Sequence, residues 1–194
     1  MIETEMPSTT EEKTAEPANP IPESPRISYW EASDPLRDLL ARKLTPDELE
    51  WARPHLESIG LAASGEVRDL AAIADRETPL LVQWDERGER IDRVDYHPAY
   101  RRMEEIAYGS GMIGMKYEPE AGRSNRSLQL TCFAMGYLFA MAEMGLYCPV
   151  CMTDGVARIL TRFGSGQKVA ETISRLTTTD PSRVWTGGMF LTER

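Results

Sequence analysis

Apolar residues recur at helical spacing along most of the chain. Asp34-Pro35 sets a capping residue before a proline suited to a first helical turn, and Leu36, Leu39 and Leu40 follow three and four residues apart. Thr45-Pro46-Asp47-Glu48 has the form of a capping box, its early acids complementing the helix dipole. Leu49, Ala52, Leu56 and Ile59 continue that stripe, and Pro54 within it predicts a bend or a break. Ser64 is placed to cap a further helix carrying Val67, Leu70, Ala71 and Ala74.

The pattern changes at residues 79–96. Leu81, Val82 and Trp84 precede the turn Asp85-Glu86-Arg87-Gly88, and Ile91, Val94 and Tyr96 follow it, which predicts a hairpin excursion. His97-Pro98 then opens a helical segment with Tyr100, Met103, Ile106 and Ala107, ending near Gly109, Gly111 and Gly114. Leu128 to Leu146 is the most apolar run, broken by few polar residues, and reads as the central helix of a helical core. Its glycines, Glu143 and the lack of basic anchors after it argue against a membrane span. A helix starting at Pro149 and another around Gln167 to Leu176 complete the helical part. Val184 to Thr192, rich in β-branched and aromatic residues, reads as the start of a β element. The expected fold is all-α, about six helices with one hairpin and a β stub.

Charge refines the domain boundaries. The 194 residues carry a net charge of −9. Residues 1–25 contain six glutamates, one lysine and five prolines, so they hold more than half of that charge and little that could be buried. Residues 1–26 therefore read as a disordered acidic tail, residues 27–183 as the helical domain and residues 184–194 as the β start. The acidic balance disfavours a nucleic-acid surface. Three cysteines suit a reducing compartment, and no secretory or transit signal opens the chain. A cytoplasmic location is expected.

Candidate chemistry is sparse. Cys148-Pro149-Val150-Cys151 is a C-x-x-C at an expected helix start, where the dipole would favour a thiolate. A thioredoxin-like motif belongs in a βαβ context, which is absent, and zinc would need more than Cys132, His55 and His97 provide. Buried apolar packing is the ordinary role of free cysteines. His97 more often caps or packs than catalyses. No dinucleotide fingerprint, P-loop, nucleophile elbow or H-E-x-x-H occurs. No catalytic residue and no metal site can be named.

Several ordered segments carry a resemblance: Ala74 to Pro79, Trp84 to Gly88, Ile91 to Val94, Tyr96-His97-Pro98-Ala99-Tyr100, Ala142 to Gly145 leading into Cys148 to Thr153, and Gly188 to Arg194. Over roughly residues 30–194 the chain resembles the N-terminal part of an acyl-CoA dehydrogenase, of the AidB-like branch linked to the adaptive alkylation response. The resemblance implies an FAD-dependent oxidation of the Cα–Cβ bond of an acyl-CoA in the complete enzyme, by homo-oligomers. It implies that Met189, Phe190, Leu191, Thr192, Glu193 and Arg194 begin the flavin-binding segment, with Thr192 contacting the isoalloxazine. The family's catalytic base is a carboxylate in the C-terminal region, as is the part to which DNA contact is attributed. The chain alone is therefore expected to be inactive, to need a complementing C-terminal portion, and to bind neither DNA nor membrane. The alternative is a noncatalytic helical module that binds protein partners. Relatives often carry a hydroxyl or small residue where Cys151 stands.

Overall fold

The computed structural model describes residues 27–117 and 123–190. The acidic tail over residues 1–26 and the expected flavin residues Leu191, Thr192, Glu193 and Arg194 lie outside the described residues. Eight helices and one hairpin are described: α1 (Tyr29–Ala32), α2 (Asp34–Lys43), α3 (Pro46–Ala62), α4 (Arg68–Ala74), β1 (Leu80–Trp84), β2 (Arg90–Asp95), α5 (Pro98–Gly109), α6 (Asn125–Ala140), α7 (Met144–Phe163) and α8 (Gln167–Thr177). The mostly helical fold expected from periodicity is the one found.

Helix starts follow from capping chemistry. The Thr45 side chain accepts from the Glu48 backbone N–H at 3.3 Å while the Glu48 carboxylate accepts from the Thr45 N–H at 3.0 Å. This reciprocal arrangement satisfies two donors that a helix start otherwise leaves unpaired. His97 caps α5, its Nδ1 accepting from the Ala99 N–H at 3.1 Å. Capping, the ordinary role of a histidine before Pro98, is the one observed.

Three expectations need correction. Pro54 does not divide α3, which runs through it. The proline is exposed, so the carbonyl it leaves unpaired one turn earlier faces water. Ser64 caps no new helix; its hydroxyl donates to the Leu61 carbonyl at 3.2 Å, and Ala63–Val67 is a π-turn joining α3 directly to α4. The apolar run 128–146 is two helices rather than one. α6 stops at Ala140, and Glu143 starts α7 by accepting from the Leu146 N–H at 3.0 Å. Pro149, expected at a helix start, therefore lies inside α7.

The core gathers where α3, α5, α6 and α7 converge. Leu56, Met103, Met135, Leu138, Phe139 and Leu146 are almost fully buried there. Two glycines set how closely helices approach. A side chain at Gly60 would strike Trp30, and one at Gly136 would strike the Tyr147 ring. β1 and β2 form an antiparallel two-stranded sheet pairing Leu80 with Asp95, Leu81 with Val94 and Val82 with Arg93. The hairpin over 79–96 is thus as expected, with a bulge on β2 opposite Gln83.

Candidate functional site

Past α8 the chain turns back across α7 as an extended strap, residues 184–190. The β element expected here pairs with no strand among the described residues. The strap is held by two backbone bonds instead. The Trp185 N–H donates to the Arg175 carbonyl at 3.0 Å, and the Gly187 N–H donates to Thr153 Oγ1 at 2.9 Å. Gly187 rests so near α7 that a Cβ would come within 2.8 Å of the Met152 carbonyl oxygen. The Arg175 guanidinium lies 5.7 Å from the Trp185 ring centroid. Beyond this clasp the strap leaves the helix, with Met189 exposed and Phe190 95% exposed.

Thr153 organises the clasp. It is fully buried, donates its proton to the Pro149 carbonyl at 2.8 Å, and accepts from Gly187. Tyr108 Oη lies 3.4 Å away, and burial pushes that phenol above its ordinary range.

One residue further on, α7 turns a different face to a cavity of about 180 Å³ between α6, α7 and the 3-10 turn Gly114–Lys116. The Lys116 side chain, only 5% exposed, pairs with Asp154 through Nζ and Oδ2 at 2.6 Å and lies 5.0 Å from the Phe133 ring centroid. The Tyr117 hydroxyl donates to Asp154 Oδ1 at 2.8 Å, and burial together with that carboxylate raises its pKa. Cys132 also lines the cavity, its thiol pushed up to about 12 by burial. Tyr147 stands opposite, its phenol raised by burial and by Cys151.

The structure separates the sequence candidates. Cys148 and Cys151 are exposed, unlike the buried Cys132, so the packing role expected of free cysteines holds for Cys132 alone. Since α7 begins at Met144, Cys148 falls beyond the first turn, where the dipole effect is strongest. Among the described residues, no group of three or more His, Cys, Asp or Glu could hold a metal, and no helix is long and apolar enough to cross a membrane. Thr153, Gly187 and the Lys116–Asp154 pair escaped sequence reasoning. The only local hint was Gly187-Gly188 inside an otherwise β-like run.

This is the N-terminal helical domain of the acyl-CoA dehydrogenase type. The chain belongs to the family described as the adaptive response protein AidB N-terminal domain, which it matches over residues 19–180. It is 31% identical over 166 residues to acyl-CoA dehydrogenase family member 11 of Caenorhabditis elegans, covering 83% of this chain and 26% of that protein. It is 28% identical over 125 residues to the putative acyl-CoA dehydrogenase AidB of Escherichia coli strain K12, covering 64% and 23% respectively. The chain thus spans about a quarter of the length of these curated relatives. Among solved structures it is similar to the apo form of Bd2924, with a TM-score of 0.77 at 27% identity, covering 84% of this chain and 32% of that one. It is equally similar, at 26% identity and a TM-score of 0.77, to C. elegans ACDH-11 in complex with C11-CoA, covering 89% and 29%.

Proposed function

We propose that this chain forms the N-terminal helical wall of an FAD-dependent acyl-CoA dehydrogenase of the AidB-like branch, and that a C-terminal portion must complete the site. The observation that carries this reading is the strap. The Thr153–Gly187 clasp fixes it to α7 and then presents Met189 and Phe190, uncovered, immediately before Leu191-Thr192-Glu193-Arg194. An exposed apolar ring on an extended backbone suits stacking against a planar cofactor. Residues 184–194 would begin the middle β domain and contribute Thr192 to the flavin, residues 27–183 forming the helical domain. When bound, FAD would accept the hydride removed from the acyl chain. The role of this chain's residues is to position that segment and to exclude water along α6 and α7.

The acyl-CoA held by the nematode neighbour supports the same substrate class here. No described residue is offered as the base, so the isolated chain would neither hold the flavin nor turn over. A homo-oligomer or a complementing C-terminal chain, a cytoplasmic location and no DNA affinity complete the proposal. To test it, the chain is expressed alone and together with an acyl-CoA dehydrogenase C-terminal portion. Flavin absorbance and acyl-CoA-dependent dye reduction are measured in each. Both signals should appear only in the combination, and turnover by the chain alone would overturn the reading.

A second reading has its own observation. Phe133, Tyr137 and Met141 stand exposed one turn apart along α6 and its end, beside exposed Met144. That stripe suits a noncatalytic module that binds protein partners. Size-exclusion chromatography separates the two: a well-behaved species indifferent to the C-terminal portion favours the module, and aggregation relieved by that portion favours the enzyme wall.

A further inference from the structure

An apolar groove of about 350 Å³ runs between α2 and α6. Leu36, Leu39 and Leu40 line one side, and Leu130, Phe133 and Tyr137 the other. Leu39 and both rings are about half exposed. Two contacts fix the ends of the groove. At one end the Ser33 hydroxyl, ahead of α2, donates to Met141 Sδ at 3.9 Å, just past α6. At the other the Ser124 hydroxyl, which starts α6, donates to Glu48 in the first turn of α3 at 2.7 Å. The two helices therefore run antiparallel. Helical spacing continues each lining row to a cation at this second end: Leu36, Leu39 and Lys43 on α2, and Phe133, Leu130 and Arg126 on α6. Lys43 and Arg126 are both exposed.

We propose that residues 17–26 of this same chain occupy the groove, entering at the Met141 end and carrying Glu11, Glu12 and Glu16 toward Lys43 and Arg126. Place, length and chemistry select this occupant. The described residues start at Ile27, and α1 carries the chain from there to Ser33 with a rise of only about 9 Å, so residue 26 is delivered near the Met141 end. Residues 17–26 would extend about 31 Å as a polyproline helix, enough to cover that approach and the roughly 22 Å that α6 rises between Arg126 and Met141. Pro17 and Pro20, then Pro22 and Pro25, follow the three-residue period of such a helix. Proline-rich segments of this kind dock in aromatic-lined grooves because little entropy is lost on binding. The glutamates precede the prolines, and that is the side which reaches the cations. The family match, which starts at residue 19, takes in most of the segment.

The test uses the 194-residue chain in a Cys148→Ser, Cys151→Ser background, which removes the exposed thiols. Glu16→Cys and Arg126→Cys, introduced together, should form a disulfide within one chain on mild oxidation by oxidised glutathione, at a rate independent of protein concentration. Replacing Pro17, Pro20, Pro22 and Pro25 with glycine should slow that step at least about tenfold, because docking supplies the effective concentration. An undocked segment behaves oppositely, since flexible glycines bring the two thiols together as fast or faster. Leu39→Glu, which sets a carboxylate in the groove, should slow it similarly with an unchanged helical circular-dichroism spectrum. The glycine arm lies outside the helices and holds even if Leu39→Glu fails to fold. Absence of the cross-link, a rate that the glycines leave unchanged or raise, or a rate that climbs with protein concentration overturns the proposal. So does loss of the cross-link when a C-terminal portion is added, because that portion then fills the groove.

Discussion

Thr153 carries more than one task on a single hydroxyl. It closes a bond to its own helix and receives the strap, in a place without solvent to replace either partner. Thr153→Val keeps the shape but leaves the Gly187 N–H unpaired, a loss of about 1–3 kcal/mol. Gly187→Ala acts from the other side, forcing a methyl against the α7 backbone. Both variants should lower the urea midpoint modestly and make residues 184–190 much more sensitive to limited proteolysis, with α7 still helical. Unchanged cleavage there would show that the clasp does not hold the strap.

At the scale of elements, α3 begins at a capping box whose acid limb is measurable. The Thr45 backbone N–H and the Ser124 hydroxyl, which donates to Glu48 at 2.7 Å, hold the Glu48 carboxyl below its ordinary value of 4.5. Its contribution is therefore complete above the unfolded-state value and is lost as pH falls through the lower folded one. Thr45→Ala should cost about 1 kcal/mol at neutral pH. Glu48→Gln should flatten the decline in stability below pH 4.5, as followed by urea melts at stepped pH.

The same box shows what the sequence made legible. Thr45, Glu48 and the 85–88 turn act through neighbours a few residues away, so local spacing reveals them, whereas Asp34, expected as a cap, is the first residue of α2 and Ser33 holds the cap position. The break at 140–144 was hidden because Phe139, Leu146 and the residues between remain apolar on both sides of it. Only Glu143 marks it, and it reads equally well as a polar interruption. The clasp was invisible for a different reason. It joins residues 34 positions apart through a backbone N–H, which no side-chain pattern encodes. Of the expected site, Met189 and Phe190 are placed and uncovered, and the remaining four residues lie outside the described chain.

For the whole molecule, charge and apolar exposure pull in opposite directions. The net −9 resists association, and over half of it lies in residues 1–25. The stripe at Phe133, Tyr137 and Met141 favours contact. Phe133→Gln with Tyr137→Gln should reduce binding of a hydrophobic dye by the chain alone and leave its melting temperature nearly unchanged, since both rings are about half exposed. The same pair should weaken recombination with a C-terminal portion, and unimpaired recombination would remove this face from that contact.

The π-turn at Ala63–Val67 sets a rotational phase. It is one residue of slack wound into an otherwise continuous rod, and α4 and then the hairpin follow it along the chain. Wound instead as ordinary α-helix with no residue removed, the segment would swing everything beyond it by about 100°, one residue's turn, and β1 would point elsewhere. The heading of the hairpin is therefore recorded in how the residues between Ala62 and Arg68 are wound as much as in any residue's identity.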